Sequence, residues 1–133
     1  PPPVVAHGRL PLYAERVEVF TKVAKLFEIP PGRMMSVRVA DEEIALYNVG
    51  GAIYATRDRC THQSFPLTKG ALRGKYIKCS LHGWEYDVAT GEYQGNPEVH
   101  VRCFPVEVRG DEIWVSLDPL PPQPRPFVSR DEA

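Results

Sequence analysis

The chain is predicted to be all-β, an antiparallel barrel or sandwich, on three observations. Apolar residues recur with a period of two in many short runs. Turn signals built from glycine, proline and aspartate separate those runs at close spacing. Helical spacing is nearly absent. Together these point to a fold made of many short strands.

The elements follow in order. Leu12–Phe20 is the one stretch with any helical spacing. Lys22–Phe27 reads as a strand, and Ile29-Pro30-Pro31-Gly32 as a turn. Met34–Val39 alternates apolar with polar residues, Asp41-Glu42 turns the chain, and Ile44–Val49 runs back. Gly50-Gly51 makes a tight hairpin into Ile53–Thr56. Tyr76–Lys78, Trp84–Asp87, Val99–Arg102, Phe104–Val108 and Ile113–Leu117 read as further strands, with Gly110-Asp111 turning the last hairpin.

At 133 residues the chain has room for one domain with a modest core. Four of the 14 prolines fall in residues 1–11 and five in 119–126, so residues 1–18 and 119–133 read as proline-rich, extended arms flanking a domain at 19–118. The arms either strap across the domain or link it to something else. A formal net charge of −1 gives no reason to invoke nucleic acid or an anionic membrane. No apolar run approaches the ~18 residues of a membrane span, and no signal-peptide pattern opens the chain. The three cysteines, Cys60, Cys79 and Cys103, are too few and odd in number for a disulfide framework. Their usage suits a reducing cytoplasm. Cys103 reads as a small buried apolar side chain in a strand.

Two pairs carry the chemistry: Cys60-Thr61-His62 and Cys79-Ser80-Leu81-His82, with sixteen residues (63 to 78) between them. Residues i and i+2 of an extended segment point to one side, so Cys60 and His62 can converge on one metal site. The wider Cys79/His82 spacing suits a tight turn ending in Gly83. Pro66, Gly70 and Gly74 let the intervening chain loop back and bring the second pair beside the first. A tetrahedral Cys2His2 zinc site is the alternative, although zinc modules usually pair cysteine with cysteine and histidine with histidine along the chain.

A C-x-H followed at this distance by C-x-x-H resembles the signature of the Rieske iron–sulfur proteins. Cys79–Asp87 followed by Thr90-Gly91 resembles their second loop, C-x-x-H-G-x-x-[FY]-D-x-x-x-G. Gly95-Asn96-Pro97 stands where such domains carry a proline loop over the cluster, and Phe104–Val108 with the closing hairpin resembles their last strands. The resemblance covers about residues 19–118. It implies a β-sandwich base with a smaller inserted cluster-binding subdomain, its loops within about 58–97. It further implies one 2Fe–2S cluster, held by Cys60 and Cys79 on one iron and His62 and His82 on the other.

Departures narrow the type. Members in cytochrome bc-type complexes have loops resembling C-T-H-x-G-C and C-x-C-H-G-S, with the extra cysteines bridged. Phe65 and Leu81 occupy those places here, so no bridge can form, and Trp84 replaces the hydroxyl donor. Fewer hydrogen bonds to the sulfurs should stabilise the reduced state less. Two ferric ions, two sulfides and two thiolates cancel in charge, whereas an all-cysteine cluster carries two negative charges. Histidine ligation therefore raises the potential. The expected value lies low in the Rieske range, roughly −150 to 0 mV.

His82-Gly83-Trp84-Glu85-Tyr86-Asp87 also resembles the second loop of Rieske oxygenase large subunits, which need a second, mononuclear iron held by two histidines and a carboxylate. Only His7 and His100 remain for it; both read as surface or interfacial residues, and no catalytic domain is expected to follow. The resemblance thus implies an electron carrier without a substrate-activating site of its own. It would be a Rieske-type ferredoxin passing electrons from a reductase to a terminal oxygenase through the His62/His82 edge. The alternative is a fixed Rieske subunit of a larger oxidoreductase, such as a nitrite reductase small subunit. Gln63, Phe65, Leu81, Trp84 and Pro97 are candidates for the shell around the cluster. For Phe65 and Trp84, plain core packing is an equal alternative to a docking role.

Overall fold

A computed structural model describes residues 19–118. The proline-rich arms, His7 and nearly all of the candidate helix lie outside the described residues. The last residue of that candidate, Phe20, begins a strand instead.

Among the described residues, twelve strands form three antiparallel sheets: β1 (Phe20–Lys25), β2 (Met34–Val39), β3 (Glu42–Val49), β4 (Ala52–Arg57), β5 (Ala71–Arg73), β6 (Tyr76–Lys78), β7 (Glu85–Asp87), β8 (Glu92–Tyr93), β9 (Asn96–His100), β10 (Cys103–Phe104), β11 (Val106–Arg109) and β12 (Glu112–Ser116). The sheet orders are β1-β12-β11, β10-β4-β3-β2 and β5-β6-β7-β8-β9. The expected all-β antiparallel class is what the molecule has. The third sheet is formed by chain that lies between β4 and β10.

β3 explains the layering. Residues Ile44 to Asn48 are all buried, although successive side chains of a strand point to opposite faces. Ile44 and Leu46 enter one core with Ala55, Phe104, Ile113 and Val115. Ala45 and Tyr47 enter a second core with Leu67, Ile77, Tyr86 and the thiols Cys60 and Cys79. The sheet containing β3 is therefore the middle layer, and the candidate site grows out of the second core. Polar groups in this layer are satisfied. The Tyr47 hydroxyl lies 2.9 Å from Thr56 Oγ1, and burial pushes its ionisation far up. Asn48 donates to Ile29 O at 2.7 Å and accepts from the Gly51 amide at 2.8 Å, tying the 29–32 turn to the β3–β4 hairpin.

Several expected boundaries shift. The first strand ends at Lys25, and Leu26–Glu28 forms a single 3-10 turn. The β2–β3 turn is Ala40-Asp41, because Val39 pairs with Glu42. Phe104–Val108 is not one strand: Cys103 and Phe104 pair with β4, whereas Val106–Arg109 pairs with β12. Pro105 has no N–H to continue a ladder, and the chain changes sheets there. Two very short strands, β5 and β8, had no counterpart in the sequence reading. β9 starts earlier than expected, so Asn96 and Pro97 lie in a strand rather than a loop. The described residues contain no helix long and apolar enough to cross a membrane.

Candidate metal centre

Two loops rise from the second core, and they share one backbone frame. In the first, between β4 and β5, the Cys60 amide donates to Phe65 O at 2.8 Å and the Ser64 amide to Cys60 O at 2.9 Å. In the second, between β6 and β7, the Cys79 amide donates to Trp84 O at 2.8 Å and the Gly83 amide to Cys79 O at 2.9 Å. In each loop the cysteine carbonyl thus accepts from the residue four further on, and the cysteine amide donates to the residue five further on. Both frames need a left-handed residue at the fourth place, and Ser64 (φ 47°) and Gly83 (φ 74°) supply it. The first loop is further pinned by buried Asp58, which accepts from the Thr68 amide and hydroxyl, both at 2.8 Å.

The frames put all four sequence-derived donors in one place. Cys60 and Cys79 are 3% and 1% exposed and lie near enough for each to influence the other's ionisation. His62 and His82 are exposed, and their Nδ1 atoms face one another at 3.2 Å. Two nitrogens each about 2.0–2.1 Å from a tetrahedral metal lie about 3.3 Å apart, so the imidazoles are already at the bite of one metal ion. Among the described residues, no three histidine, cysteine or acidic side chains close on a single ion. The donors divide into a thiol pair and an imidazole pair, a division that suits two bridged metals better than one zinc.

Electrostatics separate the two thiols. Burial opposes ionisation of Cys60, but the Tyr86 hydroxyl and the backbone amides of His62 and Gln63 outweigh it and hold this thiol below its ordinary range. Burial raises Cys79, and the neighbouring Cys60 adds to the rise. Tyr86 is the residue that the sequence reading missed. Its hydroxyl lies 3.2 Å from Cys60 Sγ and 2.7 Å from Thr61 Oγ1, and it accepts from the Thr61 amide at 3.1 Å. Burial pushes its own ionisation up to about 12. A hydroxyl therefore does reach a site sulfur, from two residues beyond Trp84. The aromatic place in H-G-W-x-Y-D was the available signal.

Trp84 is half-buried and stacks on His62, with centroids 4.3 Å apart and planes 11° apart. Phe65 packs against the second core. Leu81 is 40% exposed beside His82, and Gln63 is also exposed. Pro97 sits exposed on β9. His100 is half-buried at the end of that strand. Cys103 lies in β10, where burial pushes its thiol up to about 11. All three cysteines are free thiols.

Comparison with known proteins places this geometry. The family profile described as the Rieske [2Fe-2S] domain matches residues 19–105. The ferredoxin component of a naphthalene 1,2-dioxygenase system from Pseudomonas aeruginosa is 37% identical over 101 residues, covering 75% of this chain and 97% of that protein. A chain in a solved complex of reduced oxygenase and oxidised ferredoxin in carbazole 1,9a-dioxygenase superposes with a TM-score of 0.69 at 35% identity, covering 75% of this chain and 94% of that one. The ferredoxin of carbazole 1,9a-dioxygenase from Nocardioides aromaticivorans superposes with a TM-score of 0.68 at 32% identity, covering 73% and 96%.

Proposed function

The chain belongs to the Rieske [2Fe-2S] domain family, and from that premise we propose that it is the ferredoxin component of a multicomponent oxygenase system, carrying single electrons from a reductase to a terminal oxygenase. The observation that carries this is the division of the site into a buried thiol pair and an exposed imidazole pair. Cys60 and Cys79 would hold one iron of a 2Fe–2S cluster, and His62 and His82 the other. When bound, the cluster supplies a one-electron couple.

The chain's own residues do the rest. Cys60 and Cys79, set in the second core, keep water from the inner end of the centre. The Tyr86 hydroxyl lies 3.2 Å from Cys60 Sγ; toward a ligating thiolate it would be the donor and would favour the more electron-rich state of that sulfur. His62 and His82 bring the outer end to the surface, where a partner can approach within tunnelling distance, and exposed Leu81 adds apolar area beside them. No bond to a substrate is made or broken at this site. The named relatives are ferredoxin components, which serve an oxygenase rather than convert its substrate.

Iron and acid-labile sulfide analysis of natively purified protein, with an electron paramagnetic resonance spectrum after dithionite reduction, tests the reading. The expected result is two irons and two sulfides per chain and the signal of a reduced two-iron cluster. Colourless protein containing zinc and no iron would overturn it. His82→Cys should lower the reduction potential by adding negative charge to the centre; an unchanged potential would remove His82 from the ligand set.

A further inference from the structure

The stack on which His62 rests continues past Trp84. On the Trp84 indole lies the Tyr93 ring, with centroids 4.0 Å apart and planes 10° apart. Against Tyr93 lies the bare backbone of Gly95, in the two-residue turn that joins β8 to β9. A Cβ at Gly95 would fall 2.5 Å from both Cζ and Oη of Tyr93, so no side chain fits there while the ring keeps its place. Three segments distant in sequence therefore meet in one column: the first loop, the end of the second, and the β8–β9 turn.

The column matters because of what His62 lacks. A ligating imidazole is ordinarily oriented by a hydrogen bond from its second nitrogen to a carboxylate, carbonyl or water. Among the described residues, neither the His62 nor the His82 imidazole bonds a carboxylate or carbonyl; each one's only protein hydrogen-bond contact is with the other, through Nδ1. An exposed imidazole also turns easily, since its terminal torsion has broad wells. A parallel indole face removes that freedom, because rotating the imidazole out of plane would break the stacked contact. His82 has no such face; it meets His62 edge-on, with planes 62° apart.

We infer that Tyr93, seated on Gly95, is a positioning residue: it holds Trp84, and through Trp84 the plane of the His62 imidazole. One of the two exposed donors is thereby braced, and the other is aligned only by its contact with the first. The role of the Gln94-Gly95 turn is then to buttress the column from the side. This inference rests on His62 being a ligand.

The test uses the purified holoprotein and three variants, compared by the line width of the electron paramagnetic resonance spectrum after dithionite reduction. A histidine ligand free to sample several orientations spreads the local field at its iron and broadens the signal. Tyr93→Leu should broaden the spectrum at unchanged iron content, and Tyr93→Phe, which keeps the ring, should restore the native width. Gly95→Ala pushes a methyl into the Tyr93 ring without altering any stacked ring, and should broaden the signal in the same direction if Tyr93→Leu does not fold. Native line width in Tyr93→Leu, or in Gly95→Ala, overturns the inference alone. Absence of a two-iron signal in the native protein would instead overturn the ligand assignment beneath it.

Discussion

The Cys60–Phe65 and Cys79–Trp84 loops are built on the same two backbone hydrogen bonds, yet they differ in every side chain that tunes the site. The first places its histidine two residues after the cysteine, the second three. Ser64 takes the left-handed place in one, Gly83 in the other. The thiol of the first loop receives the Tyr86 hydroxyl and is lowered; the thiol of the second is raised. Across the gap, the second loop lends Trp84 to the histidine of the first. A common frame thus delivers two unequal halves: one loop presents the tuned sulfur and the braced imidazole, and the other supplies the brace.

The left-handed positions give the largest expected break in that symmetry. Gly83→Ala meets nothing closer than Lys78 Cε at 3.5 Å, so its cost is conformational, about 1–2 kcal/mol. Ser64→Gly relieves a comparable strain but loses backbone entropy of similar size, leaving a net change of about zero. Urea-induced loss of cluster absorbance should therefore move to lower denaturant for Gly83→Ala and stay put for Ser64→Gly. Equal responses would mean that the two frames are not under the same constraint.

Tyr86→Phe sharpens the contrast between the thiols. It removes the one side-chain hydroxyl that reaches a site sulfur among the described residues. At about 1 kcal/mol for a hydrogen bond and about 59 mV per tenfold for one electron, the potential should fall by roughly 40 mV. A potentiometric titration reads this directly, and a potential that did not fall would deny the hydroxyl its role.

The smallest effect belongs to the cysteine outside both loops. Burial pushes the Cys103 thiol up to about 11 from an ordinary 9. The neutral thiol therefore adds stability below pH 9, and this is lost as pH rises towards 11. Cys103→Ala should leave cluster absorbance and potential unchanged while flattening the alkaline loss of stability between pH 9 and 11. A changed cluster spectrum would place Cys103 in the site after all.

Much of this was readable from local pattern. The bounds of β2 and β6, the Gly50-Gly51 hairpin and the four donors follow from period, turn chemistry and spacing within a few residues of each feature. The strands that local pattern leaves unmarked are Ala71–Arg73, whose Ala, Leu and Arg have little strand preference beside the Tyr76 and Ile77 of the equally short β6, and Glu92–Tyr93, only two residues long. The split at Pro105 was hidden because Phe104–Val108 reads as one apolar run, and only its partners reveal two sheets.

The sequence alone determined the strand-rich class and marked the four proposed donors, because alternation, turn residues and metal-ligand chemistry act over a handful of neighbouring positions. Only the tertiary structure decided that β3 divides two cores, that Tyr86 reaches back twenty-six residues to Cys60, and that Gly95, Tyr93 and Trp84 back His62. Those relations join segments whose mutual approach is set by sheet pairing and packing, and no local period carries that information.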